Sequence, residues 1–380
     1  MKIVAIDDQQ LVCLSLEKHF SCLGYAIKCA RTGSEGIQLI YDFQPDLIIV
    51  DINMEGMSGL EVVKQLRKQN YKNPIMIMSG NTNEETIVSG FDLGIQDFIK
   101  KPVQLSELTV RVRRLIGTPK NAINKRVSKN AKISKTCVGV IIPCYNEEER
   151  LSSKEFTDFI ESNLGYHLCF VNDGSTDNTL EAVKKLTEGR EEYISVYNCE
   201  KNGGKGEAVR LGMLHMIKDK QLDYLGYLDA DLSTDFKDFD ALVKTIDGSN
   251  YKIVSGSRIA RMGADIHKES AREMISLTIN LIIRKILGMN FKDTQCGAKI
   301  IHRDLVEVIF KEKFITKWLF DVEIFKRMRN IYGKEKAVAM ICEQPLQRWV
   351  HEDGSKLSMK DSLKIVSQLF QISSHYKQAY

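Results

Sequence analysis

Short β-rich runs alternate with stretches of helical periodicity through the first 118 residues of the chain. The predicted strands cover residues 3–6, 26–29, 47–51, 75–78 and 98–99. The predicted helices cover residues 11–23, 34–41, 59–68, 84–93 and 105–116. Alternating strands and helices predict an α/β fold, in which helices cover both faces of a parallel sheet.

The composition sets limits on the class of protein. The chain has 380 residues, enough for two or three domains, and its 43% hydrophobic and 27% charged residues are ordinary for a globular protein. A net charge of +4 is too small to indicate nucleic-acid binding, so we expect no nucleic-acid partner.

Cysteine usage and hydropathy predict the compartment. Nine cysteines without a C-x-x-C pair predict reduced thiols in a cytoplasm and no zinc site. The chain opens on a predicted strand, so we expect no signal peptide. No apolar run is long enough to span a bilayer, so any membrane contact is expected to be peripheral.

Charged residues stand where the strands of residues 1–118 end. Asp7 and Asp8 follow the first strand, Asp51 closes the third, Ser79 follows the fourth and Lys101 follows the fifth. A parallel sheet brings these ends together, and three clustered carboxylates repel one another unless a cation lies among them. The alternative, that each acid caps a helix separately, explains Asp8 but not Asp51 or Lys101.

Residues 1–118 resemble the receiver domain of two-component response regulators. The resemblance rests on Asp7-Asp8 and on the runs VDINMEGMSGLE, MSG and DFIKKP. It implies a flavodoxin-like (βα)5 fold in which Asp51 accepts a phosphoryl group from a histidine kinase or a phosphotransfer protein. It also implies a Mg²⁺ site formed by Asp8, Asp51 and the carbonyl of Asn53, with Asp7 helping through water.

The resemblance also implies a conformational switch. Lys101 would pair with the phosphoryl group, Ser79 would hydrogen-bond to it, and Phe98 occupies the aromatic switch position. The Lys101–Pro102 peptide bond is expected to be cis. Receivers commonly dimerise through the last strand and helix, which adds a homodimer to the expected partners.

Residues 119–136 form a predicted basic linker. Its basic residues, which no acid opposes, are Lys120, Lys125, Arg126, Lys129, Lys132 and Lys135. Two interpretations stay open, a solvated flexible spacer or an electrostatic contact with anionic lipid. No helix-turn-helix pattern follows, which disfavours the output of a transcription factor.

A second strand–helix series occupies residues 137–380. Its predicted strands cover residues 138–143, 168–171, 194–197, 225–228 and 253–257, in a mostly parallel sheet. Asp229 and Asp231 follow the fourth strand, where open α/β sheets bind ligands. Two carboxylates there can hold a divalent cation that binds phosphate oxygens. The alternative is a pair of solvated acids that cap the next helix.

Two other strand ends in this series carry candidate ligand groups. Gly203, Gly204 and Gly206 open a helix and form a candidate anion cradle, to which Lys205 adds charge. A glycine turn without a ligand is the alternative, and the spacing does not fit a P-loop ATPase. Asp173, in an Asn-Asp-Gly-Ser turn, could bind a nucleobase or ribose, or could only cap the turn.

Residues 137–380 resemble inverting glycosyltransferases of family two, which have the GT-A fold. The resemblance rests on PCYNEEE, VNDGSTD, NGGKGEAVRLGM, LDADLS and SGSR, in that order at the strand ends. The runs DTQCGAK, KWLFDVEI and HEDGSKL narrow it to dolichyl- or polyprenyl-phosphate hexosyltransferases of the glucosyl type. Ala298 departs from the group, which usually has an aromatic residue there. A receiver stands in place of the usual transmembrane anchor.

The resemblance implies a nucleotide-sugar donor, UDP-glucose, bound with Mg²⁺ or Mn²⁺. The implied metal ligands are Asp229, Asp231 and His351. The implied donor-binding residues are Pro143, Tyr145, Glu147, Asp173, Lys205, Asp229 and Lys356. The implied catalytic residues are Asp229, Asp231, Asp321 and Arg258.

The acceptor decides the role of Asp321. A hydroxyl acceptor needs a general base, and Asp321 could supply it. A phosphate acceptor is already a nucleophile at neutral pH and needs cations instead, for which Arg258, Arg272 and Ser276 match the family's positions. With such an acceptor Asp321 would orient groups or bind sugar, and a buried structural acid is the remaining alternative.

A polyprenyl phosphate acceptor would place the chain at the inner membrane face. The run 272–288 is amphipathic, and the last helix carries apolar residues beside it; both segments suit either core packing or an interfacial position. The apolar residues of the last helix are Met359, Leu363, Val366, Leu369 and Phe370. The rival hypotheses are a soluble acceptor and a signalling scaffold that binds nucleotide-sugar without turnover.

Overall fold

The computed structural model describes residues 1–80, 83–119, 132–151, 154–259, 265–266, 270–349 and 359–378. The chain divides into two compact units. The first comprises Met1–Cys137 and Lys154–Tyr166, and the second comprises Val138–Ser153 and His167–Tyr380. Within the described residues, no helix combines the length and the apolar content that crossing a bilayer requires.

The first unit contains a five-stranded parallel sheet in the order β2-β1-β3-β4-β5. This order is that of flavodoxin-like folds, as predicted, and the predicted strands and helices are confirmed to within a few residues. The elements are β1 (Lys2–Ile6), α1 (Gln10–Cys22), β2 (Ala26–Ala30), α2 (Gly33–Phe43), β3 (Leu47–Asp51), α3 (Gly59–Lys68), β4 (Ile75–Ser79), α4 (Glu84–Asp92), β5 (Asp97–Lys100), β6 (Val103–Gln104) and α5 (Leu105–Ile116).

Helix α3 begins beside the end of β3, and its first turn fixes the backbone there. Ser58 caps the helix in a capping box with Glu61, which satisfies N–H groups at the helix start. Gly59 follows the cap, and a Cβ on Gly59 would lie 2.1 Å from the carbonyl oxygen of Asp51. Only glycine therefore allows α3 to start this close to Asp51.

Strand β7 (Lys132–Cys144) begins earlier than the sequence predicted, inside the predicted linker. Its first residues pair antiparallel with β6, Ile133 opposite Val103. Ile133 is fully buried in the same apolar cluster as Leu105 and Leu108 of α5. The basic residues on either side of Ile133 predicted a solvated linker. Pairing with β6 and burial of the Ile133 side chain instead stabilise a strand here.

Helix α6 (Lys154–Ser162) and the start of β8 (Asn163–Asn172) belong to the first unit, and the second unit is built on the continuations of β7 and β8. The remaining elements are α7 (Thr179–Thr187), β9 (Ile194–Asn198), α8 (Lys205–Met216), β10 (Tyr224–Tyr227), α9 (Phe236–Asp247), β11 (Ile253–Ser257), β12 (Asp265–Ile266), α10 (Ser270–Leu287), β13 (Lys299–His302), α11 (Arg303–Phe310), α12 (Phe320–Tyr332), α13 (Lys334–Met340), β14 (Ile341–Pro345), β15 (Arg348–Trp349) and α14 (Met359–Gln378). The main sheet has the order β14-β11-β13-β10-β7-β8-β9.

The sequence did not predict β13, which lies antiparallel between β10 and β11. The remaining pairs that β7, β8 and β11 form in this sheet with β10, β9 and β14 are parallel, as predicted. Lys299, the first residue of β13, pairs with Tyr227 at the end of β10 and with Ser255 of β11. Residues 293–298, which precede β13, therefore reach the edge of the sheet where β10 and β11 end. We call them the 293–298 loop.

Candidate functional site

The first unit brings three carboxylates together at the carboxyl end of its sheet. Asp7 and Asp8 follow β1, Asp51 ends β3, and one oxygen from each lies within 4.8 Å of the others. Asp7 and Asp51 are buried, and Asp8 is half-buried. Within the described part of the chain, this is the one cluster of three or more such ligands close enough to hold a metal ion.

Lys101 lies inside this cluster. Its Nζ donates to Asp7 Oδ2 at 2.6 Å and to Asp51 Oδ2 at 2.9 Å. Burial raises the pKa of Asp7 to about 6, although Lys101 partly offsets the effect. Burial alone would lower the pKa of Lys101, but the two carboxylates outweigh it and hold that pKa above its ordinary value.

The cluster has the chemistry of a magnesium site. Three carboxylates outnumber the single ammonium, so an excess of negative charge is held in a buried or half-buried place, and Mg²⁺ binds oxygen ligands of this kind. Burial also raises the pKa of Asp8, partly offset by the N–H of Glu55, which lies 3.4 Å from Asp8 Oδ2. A bound cation would relieve these costs.

The predicted switch residues surround the same cluster. The Asn53 N–H donates to Asp51 Oδ1 at 3.3 Å, and its side-chain amide lies 3.5 Å from the hydroxyl of the buried Ser79. Phe98 is half-buried against the apolar core. The Lys101–Pro102 bond is cis, as predicted.

The second unit presents Asp229 and Asp231 directly after β10. Both side chains are half-buried, and Lys205 Nζ lies 2.5 Å from Asp229 Oδ1. Burial alone would lower the pKa of Lys205. Nearby carboxylates outweigh burial and raise it, Asp229 most strongly and then Asp321 and Asp231. The D-x-D acids, Lys205 and Asp321 therefore share one electrostatic site.

Glu147 reaches the same acids from the loop after β7. Burial raises its pKa, Arg150 partly offsets this at 2.8 Å, and Asp231 and Asp229 raise it further. Of the other predicted donor-binding residues nearby, Pro143 lies near the end of strand β7 and is half-buried, and Tyr145 lies in the loop and is exposed.

Asp173 is held by the glycine loop that was predicted to cradle an anion. Its carboxylate accepts the N–H of Gly203 at Oδ1 and that of Gly204 at Oδ2, both at 2.8 Å. Asp173 is buried. The loop therefore binds an anionic group, which is the carboxylate of Asp173. These hydrogen bonds fix the start of α8 and with it the position of Lys205, its first residue.

Arg258, which follows β11, is fixed by an acid that sequence reasoning missed. Its Nε and Nη2 donate to the two oxygens of Asp293 at 2.7 and 2.8 Å, and its backbone N–H donates at 2.9 Å. Its guanidinium also lies 5.5 Å from the ring centroid of Trp349. Burial alone would raise the pKa of Asp293, but Arg258 holds it well below its ordinary range.

Asp321 is buried at the start of α12 and is already paired. It accepts hydrogen bonds from the Tyr227 hydroxyl and from Lys299 Nζ, the latter at 2.6 Å. Lys299 is fully buried. Burial, followed by the charge of Asp321, raises the pKa of Tyr227 well above its ordinary value.

Residues 293–299 make three contacts that sequence reasoning did not assign. Asp293 binds Arg258, Lys299 follows the loop and binds Asp321, and Gly297 faces Asp229. A Cβ on Gly297 would lie 1.9 Å from Asp229 Oδ2. All three residues lie in the run DTQCGAK, one of the runs on which the family resemblance rests.

Four of the predicted transferase-site residues have side chains outside the described part of the protein. His351 and Lys356 lie outside the described residues, as does most of the basic linker. Arg272 and Ser276 fall within α10, but their side chains belong to the part that is not described. Their roles stay predictions.

Comparison with known families agrees with the two units. Residues 3–113 match the family described as "Response regulator receiver domain". Residues 139–310 match the family described as "Glycosyl transferase family 2".

Similar proteins are known for each part of the chain. Dolichyl-phosphate beta-glucosyltransferase ALG5D of Trichomonas vaginalis is 30% identical over 254 residues, covering 63% of this chain and 74% of the relative. Dolichyl-phosphate beta-glucosyltransferase of Drosophila melanogaster is 31% identical over 236 residues, covering 58% and 69%. Response regulator MprA of Mycobacterium leprae is 34% identical over 120 residues, covering 32% and 53%. The chain therefore belongs to glycosyltransferase family 2, and it carries a response-regulator receiver domain before its GT-A transferase domain.

Proposed function

We propose that this glycosyltransferase moves glucose from UDP-glucose to a polyprenyl phosphate, with inversion at the anomeric carbon, and that phosphorylation of Asp51 regulates it. The observation that carries the choice of acceptor is the state of Asp321. Its carboxylate is buried between Lys299 and Tyr227, an arrangement that suits a fixed charge rather than a group that takes protons from a hydroxyl.

Arg258 supports a phosphate acceptor for a complementary reason. Asp293 occupies two of its five side-chain N–H donors and fixes the guanidinium at the edge of the sheet. An arginine held in this way can bind a phosphate without losing much conformational freedom. The relatives named for dolichyl phosphate also support an acceptor of this class.

The proposed reaction needs no general base. A phosphate monoester has its second pKa near ~6, so its oxygen is a nucleophile at neutral pH. That oxygen attacks the anomeric carbon, the bond from this carbon to the UDP oxygen breaks, and UDP leaves with the electron pair. Lys205 would bind the diphosphate, and Glu147 and Asp173 would contribute to the nucleoside site.

Asp229 and Asp231 would hold Mg²⁺ or Mn²⁺ beside the diphosphate. The cation supplies stabilisation of the negative charge that develops on the leaving UDP. The fit is supported by the position of both acids at the end of β10, next to Lys205.

Peripheral contact with the inner face of the membrane would give access to the lipid. Leu281 of α10 and Phe370 of α14 are 63% and 66% exposed, and the two helices pack together. Exposed apolar side chains on adjacent helices suit insertion at the headgroup boundary. Leu369 is fully buried, so it belongs to the core rather than to the predicted apolar face.

Purified enzyme with Mn²⁺, UDP-glucose and a short polyprenyl phosphate tests the proposal. We expect a β-linked glucosyl phosphate product. Arg258→Lys should lower kcat/KM at least tenfold, because a lysine cannot keep the two-point pairing with Asp293. Turnover on a soluble alcohol instead would reject the lipid acceptor, and nucleotide-sugar binding without product from any acceptor would favour a scaffold.

A further inference from the structure

We infer that Lys299 is a positioning residue that holds the 293–298 loop in place and, through this loop, sets the positions of Asp229 and Arg258. Its Nζ donates to three oxygens: the Thr294 carbonyl at 3.0 Å, the Cys296 carbonyl at 2.7 Å and Asp321 Oδ1 at 2.6 Å. An ammonium has three donors, so all are used. Two of the three bonds go to the backbone of the loop.

Burial of the Lys299 ammonium costs free energy unless its charge and its N–H donors are satisfied. Lys299 is fully buried, and a buried ammonium is tolerated when it is paired and all its donors are satisfied. Neutralising Asp321 requires one cation but does not require bonds to two carbonyls. The carbonyl bonds therefore indicate a second task, which is to fix the path of the loop.

The loop touches the site on both sides. Gly297 abuts the Asp229 carboxylate so closely that a Cβ would overlap it, and Asp293 binds Arg258 through two side-chain bonds. A shift of the loop by a fraction of an ångström would change both contacts. Lys299 thus connects an acid on the donor side with a cation on the acceptor side.

The loop also carries two buried polar atoms for which the described part of the chain offers no hydrogen-bond partner. Thr294 Oγ1 and Gln295 Nε2 are both buried, and neither forms a hydrogen bond with any described residue. An unsatisfied buried polar atom costs free energy that a purely structural turn would avoid. A bound substrate could satisfy both, so Thr294 Oγ1 and Gln295 Nε2 are candidate substrate contacts on the loop that Lys299 holds.

The test compares Lys299→Met/Asp321→Asn with Asp321→Asn alone. Both variants lack the Asp321 charge, but only the single variant keeps a Lys299 amine that can donate to the two carbonyls. In the full-length protein, hydrogen exchange of a peptide covering residues 293–298 should be at least tenfold faster in the double variant. Exchange in α9 should match between the two. Equal exchange in the loop would overturn the inference.

A second variant guards against misfolding. Lys299→Gln/Asp321→Asn keeps two N–H donors at this position and is expected to exchange at an intermediate rate. Melting curves identify which proteins are folded. If both double variants fold and exchange at the single variant's rate, Lys299 does not position the loop.

The effect of Lys299 on the loop is independent of the proposed function, but its expected effect on UDP binding rests on that function. Calorimetry with UDP and Mn²⁺ should give an affinity at least tenfold weaker in Lys299→Met/Asp321→Asn than in Asp321→Asn. Faster loop exchange with no UDP binding by wild type would keep the inference and reject the proposed donor. UDP binding by wild type with unchanged loop exchange would keep the donor and reject the inference.

Discussion

Gly297 illustrates how one missing side chain shapes the transferase site. The position a Cβ would take is 1.9 Å from Asp229 Oδ2, well inside contact distance. Asp229 in turn lies against Lys205. Any side chain at 297 would therefore push the acid away from the place where it meets the ammonium.

We expect Gly297→Ala to reduce turnover by a factor of about 100 or more, because small misplacements of catalytic groups have effects of this size. The fold should survive, since the clash is with one half-buried side chain. Steady-state kinetics with UDP-glucose measures the effect, and the exposed Gly248→Ala serves as the control. Wild-type turnover in Gly297→Ala would show that Asp229 need not stay where it is.

His19 makes the first unit sensitive to acid. Burial, with a smaller contribution from Arg113, lowers its pKa from 6.5 to about 4, and its Nε2 lies 2.7 Å from Thr109 Oγ1. Unfolded histidine binds a proton below about pH 6.5, whereas the folded one resists until about pH 4. The stability that the neutral His19 contributes to the folded state is therefore fully present above pH 6.5 and is lost as the pH falls from about 6.5 to about 4.

We expect wild type to lose on the order of 3 kcal/mol more than His19→Gln between pH 7 and pH 4. Comparing the variant with wild type removes the opposite contribution of Asp7, whose raised pKa favours the folded state in acid. Urea unfolding at several pH values measures the difference, with the exposed His375→Gln as control. Parallel pH profiles for wild type and His19→Gln would contradict the assignment.

At the scale of elements, β7 and β8 each begin in the first unit and continue into the second. Within the first unit the opening residues of β7 extend the core, because Ile133 is buried with apolar residues of α5. Leu164 at the start of β8 joins the same cluster. The receiver core thus includes residues far from it in sequence.

Ile133→Ala should therefore destabilise the first unit by about 2–4 kcal/mol, the usual cost of removing a buried isoleucine side chain. The exposed Val110→Ala, on α5, should change stability by less than about 0.5 kcal/mol. Denaturant unfolding followed by a probe in the first unit measures both. Equal effects would mean that Ile133 packs loosely in solution.

At the scale of the whole molecule, both units are expected to need a divalent cation, for different reasons. In the receiver the cation would offset the negative charge of the buried Asp7 and Asp51 and of the half-buried Asp8. In the transferase it would offset charge on the leaving diphosphate. Chelation should therefore stop phosphoryl acceptance and glucosyl transfer together.

We expect acetyl phosphate with Mg²⁺ to label wild type at Asp51 and to leave Asp51→Asn unlabelled. Coupling between sites is typically worth 1–3 kcal/mol, so turnover of the labelled protein should differ about fivefold or more from that of Asp51→Asn. Radiolabelling and the glucosyltransferase assay, each repeated with EDTA, provide the measurements. Identical turnover in both proteins would remove the regulatory role.

Local sequence determined most of the first unit and the position of the D-x-D acids. Apolar runs of strand length, separated by helical periods, leave one way to bury both faces of a parallel sheet, and charged residues at strand ends then meet at one edge. In the first unit Asp7, Asp8, Asp51 and Lys101 meet in this way, and in the second unit Asp229 and Asp231 follow a buried strand.

Only the tertiary structure decided which of these charges are paired. Strand β13 is four residues long and antiparallel, so the local pattern of apolar residues did not predict its insertion between β10 and β11. Its insertion brings Lys299 to Asp321, Asp293 to Arg258 and Gly297 to Asp229. Burial and pairing depend on neighbours that are distant in sequence, and these neighbours decide whether an acid is a base, a metal ligand or a fixed counter-charge.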